Sequence, residues 1–261
     1  MTIVKHELRQ GRTSFCVWTG AIAVMMAFCV FLFPEMKGEM DSISDAFASM
    51  GAFSSAFGMD QLNFGTLIGY YAIECGNVLG LGGAFFASLC AAGALAKEER
   101  DRTAEFLLTH PVSRTRIITE KLIAVFLQII SMSAVVYGVS VSTIALVGEE
   151  IPWKELNLLH LAYFLLQLEL AGVCFGISAF MRKGSVGAGL GVAIMVYFLN
   201  LISNIAEAAE FLKYITPFSF TDGADIVTEG KLDLVLVLVG MGIGALGIAA
   251  GYWNYCRKDI Q

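Results

Sequence analysis

Residues able to do chemistry are scarce in this sequence, and their spacing excludes most of what they could do. The three histidines, His6, His110 and His160, stand far apart. No H-E-x-x-H offers two imidazoles one helical turn apart to a zinc ion, and no G-x-S-x-G presents a strained nucleophile. No G-x-x-x-x-G-K-[ST] is present to cradle a nucleotide's phosphates with backbone N–H groups and a lysine. The six cysteines, Cys16, Cys29, Cys75, Cys90, Cys174 and Cys256, form no CxxC pair and fall in or beside apolar runs. Small apolar core residues are the plainer reading of them.

Two carboxylates remain. Glu74 and Glu169 each stand as the one acid in the interior of an apolar run, Thr66–Ala96 and Trp153–Met181. Glu169 precedes Arg182 by 13 residues, about 20 Å along a helix rising 1.5 Å per residue. A carboxyl that deep in hydrocarbon must be neutral, paired or facing a wet cavity. Gln128, Asn200 and Asn204 are candidate hydrogen-bond partners. The functional alternative is a substrate path through Glu74, Asn77, Glu169, Asn200 and Asn204.

The elements that would position these groups follow from composition. The chain is 57% hydrophobic and 15% charged, with a mean hydropathy of +0.71. A water-soluble domain could not bury so much apolar surface, so lipid is the expected solvent. Thr13–Pro34, Leu122–Gly148, Gly184–Ala206 and Leu234–Cys256 contain no Asp, Glu, Lys or Arg. With the two acid-bearing runs they predict six spanning helices, near 13–34, 71–96, 122–148, 157–181, 185–206 and 234–255, in one all-α membrane domain. Period-two alternation is absent, which excludes barrel strands. If the amino terminus is cytoplasmic, 13 of the 17 basic residues fall in inner segments, so both termini are expected inside. The net charge of −6 reflects acidic outer loops and argues against nucleic acid as a partner.

Between the spans the pattern is informative. Ile3, Val4 and Leu8 against Lys5, Arg9 and Arg12 predict an amphipathic helix resting on the inner leaflet. In the outer segment 35–64, Met36, Met40, Ile43, Phe47, Met50 and Phe57 recur at helical steps and predict a second amphipathic helix. Thioethers can bind Cu(I), but no His or Cys joins this stripe, so packing is the plainer reading. Phe33-Pro34-Glu35 is a poor signal-peptidase site, so the first run is kept as a span. Gly76–Ala84 and Gly240, Gly244, Gly247 and Gly251 supply small residues for close helix contact, within the chain or between copies. The outer segment 207–233 is expected to form a hairpin dipping into the leaflet, with Tyr214, Phe218 and Phe220 at the interface.

The most unusual stretch is Lys97–Lys121, "KEERDRTAEFLLTHPVSRTRIITEK", with eleven charged residues on the expected inner side. Ala104, Phe106, Leu107 and Leu108 form a compact apolar patch, Pro111 ends that helix, and Ser113 can cap the next. An ordinary basic loop would suffice for orientation, but an apolar patch exposed to the cytosol points to a soluble partner.

This stretch resembles the cytoplasmic signature of the type-2 ABC transporter permeases, E-x-x-x-G-T-x-E-x-L-L-x-x-P-V-S-R. Thr103, Glu105, Leu107, Leu108, Pro111, Val112, Ser113, Arg114 and Lys121 match, and Arg102 stands where the family usually has Gly. "YITPFSFTDGADI" and the ending "YCRKDI" resemble the family's last outer segment and basic tail. The resemblance implies a type V exporter-like bundle in a bacterial cytoplasmic membrane, and a second permease subunit, alike or related. It implies a separate pair of ATPase subunits that carry ATP and Mg and dock on the loop 97–121. Glu99, Arg102, Thr103, Glu105, Phe106, Leu107, Leu108, Pro111 and Arg114 would make that coupling, and this chain would hold no cofactor or metal of its own. Export of a hydrophobic or amphipathic compound, such as an antimicrobial peptide or drug, is the expected activity. An ion-gradient-driven transporter using Glu169 and a non-transporting membrane scaffold are the alternatives. An intramembrane hydrolase would need a motif that the sequence does not show.

Overall fold

The computed structural model describes residues 2–38, 50–51, 54, 59, 61–97, 112–181 and 186–257. Among the described residues every regular element is helical: α1 (Thr2–Gln10), α2 (Arg12–Met36), α3 (Leu67–Ala92), α4 (Arg114–Val147), α5 (Trp153–Phe180), α6 (Val186–Ile205), α7 (Gly223–Glu229) and α8 (Leu234–Arg257). Helices are the form that long apolar segments can take in lipid, because each backbone N–H and C=O finds its partner within the segment. Six of them, α2–α6 and α8, are long and apolar enough to cross a membrane.

Local signals set the ends. The Ser113 hydroxyl accepts from Arg116 N–H at 3.3 Å and opens α4 at its expected cap. Gly148, at φ 81°, closes it in the left-handed conformation that favours glycine. α2 runs past Pro34 to Met36, with Lys37 N–H closing the last turn on Phe33 O. Within α3, Tyr71–Cys75 forms a π-helical turn, a local widening that often accompanies a functional position. Of the expected outer amphipathic helix, Met40, Ile43, Phe47 and Phe57 lie outside the described residues.

α5 is the central helix. It packs on α8, α3 and α4, and Leu156, Leu159, Ala162, Leu166 and Phe175 are fully buried. Glycines set its distance from α8. A methyl group at Gly172 would come 2.5 Å from Gly244 O, and one at Gly247 would come 2.7 Å from Gly172 O. The glycines of the last span are therefore used inside the chain. Those of α3 meet the same helix: Gly76 and Gly80 face Tyr163, and Gly83 faces Gln167. Val24, Phe28, Leu146, Phe198, Leu238 and Leu246 stay exposed on the periphery, as lipid-facing side chains would.

The segment 207–233, expected to form a hairpin, is made of short helical pieces tied to the bundle. It is built from two 3-10 turns, Glu207–Tyr214 and Ser219–Thr221, followed by α7. Thr216 Oγ1 donates to Val196 O at 2.8 Å and Ser219 Oγ donates to Asn200 Oδ1 at 3.1 Å, which ties the segment to α6. Phe218 and Phe220 consequently pack into protein, and of the three expected interfacial aromatics only Tyr214 is exposed.

Candidate functional site

Two constellations stand out, one at the basic end of the bundle and one at the opposite end. At the basic end, Lys121 on α4 is 1% exposed. Its ammonium lies 3.0 Å from Glu7 Oε1 and 2.8 Å from Ala94 O. The other Glu7 oxygen takes Lys97 Nζ at 3.4 Å, and Lys97 also donates to Gln10. Next to Lys121 in sequence, Glu120 accepts from the N–H groups of Ile3 and Val4 at 3.0 and 3.3 Å and from Arg116 Nε at 2.9 Å. The first N–H groups of a helix have no partner within it, so Glu120 satisfies α1 where α1 cannot satisfy itself.

The electrostatics of Glu7 follow. Burial alone would raise its carboxyl, but the ammoniums of Lys121 and Lys97 outweigh burial and hold it below its ordinary value of 4.5. α1 is thus fastened to α4 by polar bonds as well as by buried Val4. The fastening has a particular position. Lys97 precedes the stretch 98–111, and Arg116, Glu120 and Lys121 follow it, so one short helix holds both ends of that stretch. Glu99, Arg102, Thr103, Glu105, Phe106, Leu107, Leu108 and Pro111 lie outside the described residues. Arg114, which opens α4, donates from Nη1 to Tyr255 O on the last helix at 3.4 Å.

At the opposite end, α3, α5, α6 and the segment before α8 enclose a pocket of about 70 Å³. Asn77, Asn200 and Asn204, three of the five residues expected on a substrate path, line it together. Tyr163, Tyr197, Phe218, Thr221 and the acid Asp222 also stand in its wall, and no Lys or Arg is among its lining residues. Pockets that enclose drug-sized ligands run to roughly 300–1,000 Å³, so this one can hold part of such a molecule.

The two acids are placed apart from it. Glu74 is half-buried on the π-helical turn and does not line the pocket. Glu169 is 2% exposed in the α5–α8 seam, and its Oε2 has no hydrogen-bond partner among the described residues. The expected bonds from Gln128 and Asn200 are not made. Gln128 Oε1 accepts from Cys90 Sγ at 3.5 Å, and Asn200 accepts from Ser219. Gly240 faces the carboxyl, and a methyl there would run into Oε2.

His160 lies in the first half of the same helix, α5. It is buried, with Nε2 2.7 Å from Tyr71 Oη on the π turn. Ser140 donates to Val136 O at 3.0 Å, and Tyr71 donates to Ser140 at 2.9 Å. The single tyrosine proton is then spent, which makes His160 Nε2–H the donor to Tyr71. The result is a directed chain across α5, α3 and α4 that holds the π turn in place.

A family model described as ABC-2 family transporter protein matches residues 1–260. The chain belongs to the ABC-2 transporter permease family. No curated protein matches it in sequence. Membership in the ABC-2 permeases makes the chain a multi-pass membrane subunit of a transporter, and members of this family work with an ATPase subunit. In the permease, sequence reasoning missed Glu7 and Glu120. A signal for Glu7 was present: it shares the helical face of Ile3, Val4 and Leu8, and a lone charge on an apolar stripe marks a buried partner.

Proposed function

We propose that this chain is the transmembrane subunit of an ATP-driven exporter, coupled through the loop 97–121 to a separate ATPase that carries ATP and Mg. The observation that carries this reading is the fastening of α1. Lys97 on one side of the loop and Glu120 and Lys121 on the other meet the same nine-residue helix, which leads through Gly11 into the first span. A push on the loop from below is therefore shared among α1, α2, α3 and α4 as a unit. Rigid-body movement of the ATPase pair would reach the bundle by this route.

In the same reading two permease subunits, alike or related, form the conduit in a bacterial cytoplasmic membrane, with both termini cytoplasmic. The pocket at the far end supports this division, since at about 70 Å³ it is too small for a whole amphipathic drug or peptide. Phe106 and Leu107 would seat in the ATPase, with Glu99, Arg102 and Glu105 at the rim.

The test is affinity purification of the tagged chain from its native membrane in mild detergent, beside a Phe106→Asp/Leu107→Asp variant. Co-purification of a Walker-motif ATPase with the parent, lost from a folded variant, is the expected result. An ATPase retained at full yield by the variant would place the contact elsewhere.

A further inference from the structure

We propose that Glu169 and the aromatic turn against it form the recognition site for an amphipathic organic cation. The proposal rests on the exporter reading above and names the charge of its substrate.

Three observations carry it. First, the Glu169 carboxyl is buried and Oε2 lacks a hydrogen-bond partner among the described residues. Natural bundles rarely keep an unsatisfied carboxyl in hydrocarbon, and a counter-charge that arrives and leaves accounts for one. Second, the carboxyl stands beside the buried ring of Phe220. Phe220 Cε1 and the Glu169 carboxyl converge on the same point above Gly240, which offers no side chain of its own. Phe220 belongs to the turn Ser219–Thr221, and its neighbours Phe218 and Thr221 line the pocket. In the proposed site the Phe220 ring turns aside as the ligand enters, and the carboxyl then opens toward that pocket.

Third, the chemistry of the walls selects a sign. Tyr163, Tyr197 and Phe218 present aromatic rings, which attract cations through their negative faces. Asn77, Asn200 and Asn204 offer amide oxygens. No Lys or Arg lines the pocket, so an anion would find no counter-charge. The volume of about 70 Å³ admits only part of such a cation, leaving the apolar remainder to lipid or to the second subunit.

The experiment titrates the ATPase activity of the permease–ATPase complex in nanodiscs with two ions of the same shape, tetraphenylphosphonium and tetraphenylborate. The cation is expected to stimulate hydrolysis severalfold and the anion not. Glu169→Gln is expected to raise the half-stimulating concentration of the cation at least tenfold, with Glu169→Asp recovering part of it. Equal responses to the two ions in the unaltered complex would overturn the proposal. So would an active ATPase indifferent to both, or an unchanged cation response in folded Glu169→Gln. If no ATPase assembles with the chain, the exporter reading itself fails, and this proposal with it.

Discussion

The ammonium of Lys121 lies 3.0 Å from Glu7, 114 residues away in sequence, and both groups are withdrawn from solvent. Removing one member of such a pair strands the other charge, at a cost of about 3–5 kcal/mol, whereas removing both together costs less. Glu7→Ala should therefore destabilise the protein more than the double variant Glu7→Ala/Lys121→Met. Thermal unfolding in detergent checks this: the single variant should melt lowest, and additive effects would deny the coupling.

The same pair sets a pH dependence. A carboxyl held below its ordinary value stabilises the fold above that value, and the contribution is lost as the pH falls through the folded-state value. Glu7 is such a group, with an ordinary value of 4.5. Docking of α1 should be constant from neutral pH to about 5 and weaken only in stronger acid. Hydrogen exchange of the α1 amides, corrected for intrinsic rate, should show protection lost below pH 4.5 in the parent. In Glu7→Gln the acid step should shrink to the part that Glu120 carries through the Ile3 and Val4 N–H groups.

Much of this was legible in the sequence, and the reasons differ by element. The six spans follow from runs of uncharged residues, because hydrocarbon admits little else. Ser113 and Gly148 mark the ends of α4 by types that suit caps. Gly240, Gly244, Gly247 and Gly251 announced a close contact, but periodicity could not say against what; the structure places α5 there. Asn77, Asn200 and Asn204 are legible as isolated polar residues in apolar runs and share a pocket, while Glu169 lacks the bonds expected from Gln128 and Asn200. Long-range pairing of that kind depends on helix rotation, which a single span's composition does not encode. Glu7 and Lys121 were each readable as a charge on an apolar stripe, and joining them needed the fold.

The α5–α8 seam makes a sharper prediction. Gly172→Val must push α5 off α8, since even a methyl would stand 2.5 Å from Gly244 O. Overpacking typically costs about 1–3 kcal/mol, and contact with a backbone atom that cannot yield belongs at or above the upper end. Gly242→Val, on the same helix as Gly244 but with open space around it, should leave the melting temperature nearly unchanged. Equal effects would contradict the packing described.

The His160–Tyr71–Ser140 chain is testable by a cycle. Tyr71→Phe removes the hydroxyl that joins the other two, leaving buried groups unsatisfied at about 1–3 kcal/mol. His160→Ala made in the Tyr71→Phe background should cost less than in the parent. Independent, additive losses in thermal stability would show that the two do not act through one bond.

The central claim is that the loop tied by α1 is where an ATPase takes hold. A photo-crosslinking amino acid placed at Phe106, with Met50 as the control on the opposite side, tests it in native membranes. The account predicts a photoproduct between residue 106 and an ATPase bearing a Walker lysine, with a yield that changes when ATP is added, and none from residue 50. Crosslinks from residue 106 to lipid or to the chain itself alone, in membranes where transport is active, would contradict it.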